Sequence, residues 1–228
     1  MYMAVPVYTA VRPGLAYCVY FNNTFYSEFD LSDPAELRFE ARGGEIDYTI
    51  AFGPTPAEAL EALSELIGRA PLPPRWALGY HQSRWSYGSE EAVMNLAREF
   101  RARRIPCDVI HLDIDYMDGY RDFTWNRERF PDPAGMLGRL GAMGFKVVPI
   151  IDAGVKIDPA YEVYSEGLKR DVFIRRADGE LATGYVWPDD SVFCDFLRPE
   201  GRAFWAERVA ALARLGVRGV WCDMNEPV

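Results

Sequence analysis

The chain has 228 residues, of which 49% are apolar and 26% charged, and its formal charge is −9. That length suffices for one large domain or two small ones with real cores, and the composition excludes collagenous, low-complexity and disordered classes. The acidic balance argues against nucleic acid and against an anionic membrane as partners, and no apolar stretch reaches membrane-spanning length.

Residues 1 to about 53 read as antiparallel strands, over 3–11, 16–21, 37–41 and 45–52, with turn signals at Arg12-Pro13-Gly14 and Arg42-Gly43-Gly44. These are too few to close a sandwich. A helix follows, opened by Thr55-Pro56-Ala57-Glu58, with Leu60, Leu63, Leu66 and Ile67 on one face. The stiff segment Arg69-Ala70-Pro71-Leu72-Pro73-Pro74 then marks a domain boundary, giving units of 1–70 and 71–228.

Beyond the joint, strands and helices alternate. Strands are expected over 76–80, 107–112, 145–151 and 217–222, and helices over 89–103, 134–143 and 200–215. Apolar runs of this length, separated by amphipathic helices, indicate buried parallel strands. The third strand is followed by an excursion over 152–199, in which Ala177-Asp178-Gly179-Glu180 predicts a hairpin turn within about 171–196. Four strands are half the number of a (β/α)8 barrel. The expected fold is α/β, an incomplete (β/α)8 TIM barrel (its first four strands) preceded by the end of an antiparallel β-sandwich domain, with the chain truncated at both ends.

In parallel β/α folds, ligands meet the carboxyl ends of the strands. The first predicted strand runs into His81-Gln82-Ser83-Arg84-Trp85, the second into Asp113, the third into Asp152 and the fourth into Asp223-Met224-Asn225-Glu226. One carboxylate at a strand end is ordinarily a cap or a loop hydrogen-bonder, whereas three on one rim beside aromatic loops indicate a site. A metal hydrolase is the rival use of clustered acids, but only His81 and His111 are present, with no HxH or HExxH. The four cysteines, Cys18, Cys107, Cys194 and Cys222, have no metal-ligand spacing, and Cys107 and Cys222 are expected to be buried in strands. No metal and no cofactor is expected. Glycoside hydrolysis, in which one carboxylate attacks the anomeric carbon and a carboxylic acid protonates the leaving oxygen, accounts better for the aromatic loops.

The segment from Gly219 through Trp221-Cys222-Asp223-Met224-Asn225-Glu226-Pro227 resembles the nucleophile signature of family 31 of the glycoside hydrolases, the α-glucosidase family. His111-Leu112-Asp113-Ile114-Asp115-Tyr116-Met117, continuing to Trp125, resembles the second-strand motif of that family. Gly79 to Tyr87 resembles its first-strand segment, and Val186-Trp187-Pro188 with Phe193-Cys194-Asp195-Phe196 a third-loop segment. The four occur in family order over about 71–228. The upstream likeness is looser and rests on Tyr17-Cys18-Val19-Tyr20-Phe21-Asn22-Asn23.

The resemblance implies that Asp223 is the nucleophile that forms a covalent glycosyl-enzyme. It implies that Asp113 hydrogen-bonds the hydroxyls of the bound sugar, that Ile114 lines its subsite, and that Trp187 and Trp221 pack on it. Asp152 joins the same rim, and Glu226 and His81 support the site. Trp76, Trp125 and Trp205 read as packing residues. The substrate class implied is an α-linked oligosaccharide or glucoside; α-xylosidase and α-glucan lyase chemistry, or a non-catalytic carbohydrate-binding fragment, are the alternatives. The family's general acid/base lies on a later barrel strand and has no counterpart in these residues, so the fragment alone is expected to be inactive. No signal peptide is visible in the opening residues, and the expected location is cytoplasmic.

Overall fold

In the computed structural model, which describes residues 5–225, local turn chemistry sets the first strands. Strand β1 (Val7–Arg12) reverses through Pro13 and Gly14 into β2 (Leu15–Phe21). Gly14 takes a φ of 74°, which costs a residue without a Cβ little. Strands β3 (Ser27–Asp30) and β4 (Arg38–Ala41) form a separate antiparallel hairpin, and β5 (Tyr48–Gly53) pairs with β2, so the three-stranded sheet runs β1-β2-β5. Helix α1 (Pro56–Ile67) begins with a complete capping box: Thr55 accepts from the Glu58 N–H and the Glu58 carboxylate accepts from the Thr55 N–H. Its Ala59 and Leu63 bury against Ala16, Cys18 and Ala51 of the sheet. Aromatic rings join the hairpin to the sheet: Phe21 stacks on Phe39 at 3.7 Å between centroids and meets Phe29 edge-on at 5.4 Å. The chain divides into two compact units between Leu72 and Pro73.

The second unit opens with a single 3-10 turn at Arg75–Leu78, so the strand expected over 76–80 does not form. Pro74 accepts the Ala77 N–H and starts the turn, and the pairing begins only at β6 (His81–Gln82). Helix α2 (Glu90–Ala102) is capped by Ser89 and buries Val93, Met94 and Ala97. Strand β7 (Val109–Leu112) follows, then α3 (Pro133–Ala142), which is capped by Asp132 and buries Met136, Leu137 and Leu140. Strand β8 (Lys146–Ile151) leads into a short β9 (Gly154–Lys156) and helix α4 (Glu162–Lys169). Strands β10 (Thr183–Val186) and β11 (Asp189–Phe193) then form a hairpin, and α5 (Pro199–Leu215) returns the chain to β12 (Trp221–Cys222).

The main sheet is wholly parallel in the order β12-β8-β7-β6. Neighbours in space are neighbours along the chain, each reached through a helix, which is the winding of a barrel and not of a sheet that reverses order. This is the incomplete barrel expected from the strand and helix rhythm. One face of the sheet packs Ile110, Leu112, Val147 and Ile151 into a cluster with Val93, Met136, Leu140 and Leu212 of the helices. Each such fully buried aliphatic side chain contributes roughly 1.5–3 kcal/mol.

The excursion is more structured than its sequence indicates. The order β10-β11-β9 makes a small antiparallel sheet, and α4 packs beside it around Tyr161, Tyr164, Val172, Phe173 and Phe204. The turn at 177–180 forms, closed by Arg176 and Glu180, but only isolated bridges flank it. The regular hairpin lies further on, with Trp187 and Pro188 at its tip. Cys107 is buried as expected, whereas Cys222 is exposed: β12 is an edge strand paired only with β8 among the described residues, and nothing described there covers its outer face.

Candidate active site

Register brings the acids together. Trp221 is level with Ile150 and Cys222 with Ile151, so Asp223 lies beside Asp152 on the neighbouring strand end. Leu112 is level with Pro149, which sets Asp113 beside Ile150, two residues before Asp152. Side chains alternate along a strand, so Asp113, Asp152 and Asp223 share one face of the sheet. By the same count His81, His111, Val148, Ile150 and Trp221 share that face, below the carboxylates. The opposite face carries the residues that pack on the helices. A one-residue slip in any strand would move its acid into that helix-packed layer.

Each acid immediately follows the last residue of its strand, where the chain begins to turn. Asp113 Oδ1 accepts the Ile114 N–H at 2.8 Å, and Asp223 Oδ1 accepts the Met224 N–H at 2.9 Å. The two strand ends thus use the same local bond to orient their carboxylates. Met224 has a φ of 48°, a left-handed conformation uncommon for a residue bearing a Cβ, and the turn lifts the chain away directly after the acid. The Asp223 N–H donates to the Ile151 carbonyl at 3.2 Å, which ties this strand end to β8.

The electrostatics follow from this crowding. Asp152 is 3% exposed, and burial, then the charges of Asp223 and Asp113, push its carboxyl up to about 7. Burial raises Asp113 as well; the Ile114 N–H opposes the shift, and Asp115 and Asp223 add to it. Below the acids, His81 Nδ1 and His111 Nε2 are 3.0 Å apart, so one of them donates and the other accepts. Burial, and then its neighbour His81, hold His111 below the ordinary imidazole range. Trp221 meets the His111 ring edge-on at 6.0 Å. His81 therefore supports the face from beneath rather than reaching the rim.

The structure distributes the remaining expected residues. Ile114 is buried in the hydrophobic cluster, 3% exposed, and its backbone N–H is what serves Asp113. Trp187 is half exposed at its hairpin tip, 5.9 Å from the Trp85 ring and 6.4 Å from that of Tyr120. Trp125 is buried and Trp205 packs on both clusters of the unit, as packing residues should. Glu226 lies outside the described residues. A cavity of about 430 Å³ opens beside the rim, lined by Ala153, Phe193, Asp195, Phe196 and Asn225 among others. The described residues hold no cluster of three or more metal-ligating side chains, and none of their helices is long and apolar enough to cross a membrane.

Sequence reasoning passed over Asp122. It is 1% exposed in the loop between β7 and α3, its Oδ1 accepts the Asp152 N–H at 3.2 Å, and burial, with Asp152 adding to it, pushes it up to about 8. No sequence pattern separates it from an ordinary loop aspartate, because its burial is a product of tertiary packing.

The model of the glycosyl hydrolases family 31 TIM-barrel domain matches residues 70–228. The chain belongs to family 31 of the glycosyl hydrolases. The α-glucosidase 2 of Bacillus thermoamyloliquefaciens is 46% identical over the whole chain, which covers 29% of that protein. A family 31 α-glucosidase of known structure from Bacteroides thetaiotaomicron superposes with a TM-score of 0.88 at 40% identity, over 100% of this chain and 39% of that one. A glucosidase II α subunit solved with DNJ bound superposes with a TM-score of 0.88 at 31% identity, over 98% of this chain and 26% of its own length. The chain thus spans well under half the length of these relatives.

Proposed function

We propose that these residues supply the nucleophile side of the catalytic site of an α-glucosidase acting with retention of configuration. The observation that carries this reading is the placement of Asp113, Asp152 and Asp223 on one face, at three adjacent strand ends of a parallel half-barrel. In the proposed reaction an Asp223 carboxylate oxygen bonds to the anomeric carbon as the glycosidic C–O bond breaks. The leaving oxygen takes its proton from a carboxylic acid that the family likeness puts beyond these residues. Water then attacks the anomeric carbon, gives up its proton to the same group, and frees Asp223. Two inversions restore the starting α configuration.

Asp113 and Asp152 would accept hydrogen bonds from the sugar hydroxyls, which fixes the ring against Asp223 and lowers the entropic barrier to attack. Trp221 and Trp187 would offer faces to its apolar side. With one carboxyl of the reacting pair, the chain by itself would not turn over substrate. Support for the reading comes from the family membership and from the names of the relatives; the residues 1–70 would then be the C-terminal part of the β-sandwich domain that precedes the barrel.

Proton NMR of freshly formed product tests the stereochemistry, using the gene product read to its natural stop codon. The α anomer of glucose is expected to appear first and then equilibrate. Immediate release of the β anomer would rule out a glycosyl-enzyme on Asp223.

A further inference from the structure

Asp122 makes contacts that the proposed reaction does not itself require. Its Oδ1 accepts the Asp152 N–H at 3.2 Å. Directly after β8 the backbone bends sharply. Ala153 has a φ of 60°, and the Gly154 N–H closes on the Asp152 carbonyl at 2.8 Å. A left-handed alanine persists only where its surroundings hold it. Asp122 is the side chain on the Asp152 amide, where that bend begins.

The support is itself anchored. Tyr161 Oη donates to the Asp122 carbonyl at 2.6 Å, and Tyr116 Oη donates to the Ile150 carbonyl at 2.9 Å, so two buried phenols bracket the bend. The neighbouring Arg121 is engaged by Asp118 and Asp158 and does not neutralise Asp122. Asp122 Oδ2 and Asp152 Oδ1 are both buried without a hydrogen-bond partner among the described residues. A buried carboxyl with no cation and one unpartnered oxygen is costly, and is retained only if its remaining bonds matter.

We propose that Asp122 is a positioning residue of the site: its carboxyl grips the main-chain amide of Asp152 and so sets the direction of the Asp152 carboxyl at the rim. This rests on the reading of the rim as a sugar site. Asp122 touches no substrate in this scheme and acts only through Asp152.

A double-mutant cycle tests it, with 1-deoxynojirimycin as the probe ligand and the gene product read to its natural stop codon. Calorimetric affinities are compared for the native protein, Asp122→Ala, Asp152→Asn and the pair. Asp122→Ala is expected to weaken binding roughly tenfold, about the worth of one hydrogen bond. In the Asp152→Asn background the same change should cost less than about twofold, because a positioning residue has nothing left to position. Asp122→Asn, which keeps an acceptor oxygen, should restore most of the affinity. Equal losses in both backgrounds would show a merely structural role and overturn the proposal. Hydrogen exchange of the Asp152 amide needs no sugar: it should quicken in Asp122→Ala, and unchanged exchange would overturn the proposal by itself. If the native protein fails to bind the imino sugar, the sugar-site reading fails, while the exchange result still decides the role of Asp122.

Discussion

Replacing Asp152 by Asn should stabilise the chain at alkaline pH and not at acid pH. Asp152 sits near 7 in the folded state against an ordinary 3.8, a gap of about three units. At about 1.4 kcal/mol per unit, the ionised carboxylate costs the fold at most ~4 kcal/mol. Asp113 and Asp223 at the same rim are partly exposed, and solvent screening lowers this to roughly 2 kcal/mol. The sign follows from proton binding. Between about pH 4 and pH 7 the unfolded chain has lost the Asp152 proton that the folded chain keeps, so stability falls as pH rises through that window. Above it the penalty is fully present; below it there is none. Asn is nearly isosteric with the protonated acid and does not titrate. Thermal unfolding followed by circular dichroism should therefore give similar midpoints for both proteins at pH 4, with Asp152→Asn melting about 4–8 °C higher at pH 8. An equal shift at both pH values, or destabilisation at pH 8, would refute the account of Asp152 as a buried carboxyl that the fold holds protonated to about pH 7.

Two further expectations concern packing and binding. In the gene product read to its natural stop codon, Trp187→Ala should raise KM for a small α-glucoside by roughly five- to tenfold with little change in melting temperature, since the ring is half exposed and its loss costs binding, not core; steady-state kinetics beside a melting curve checks both. Gly167→Ala should destabilise the chain by about 1–3 kcal/mol in chemical denaturation, because a Cβ there would lie 2.3 Å from the Phe173 ring.

The alternation of apolar strands with amphipathic helices was legible because it is local: capped helices such as Glu90–Ala102 and runs such as Lys146–Ile151 carry their periodicity in the sequence. The rim acids were legible for the same reason, each standing directly after an apolar run. What escaped depends on tertiary contact. Ser27–Asp30 has a single aromatic, Phe29, and becomes a strand by pairing with Arg38–Ala41. Trp76 to Leu78 look strand-like, but the proline before them starts a turn, and the pairing is made by polar His81 and Gln82. Glu162–Lys169 has only eight residues and no side-chain cap to mark its start, so it is easily lost within a polar excursion. Asp122 was invisible because nothing local distinguishes it; its burial and its bond to the Asp152 amide arise only from tertiary packing.

The central claim is that Asp223 becomes covalently glycosylated. Incubating the gene product, read to its natural stop codon, with 5-fluoro-α-glucosyl fluoride and mapping the adduct by peptide mass spectrometry tests it most directly. A glucosyl adduct on Asp223, absent from Asp223→Ala, is the predicted result. An adduct on Glu226, or none on a folded protein, would contradict it.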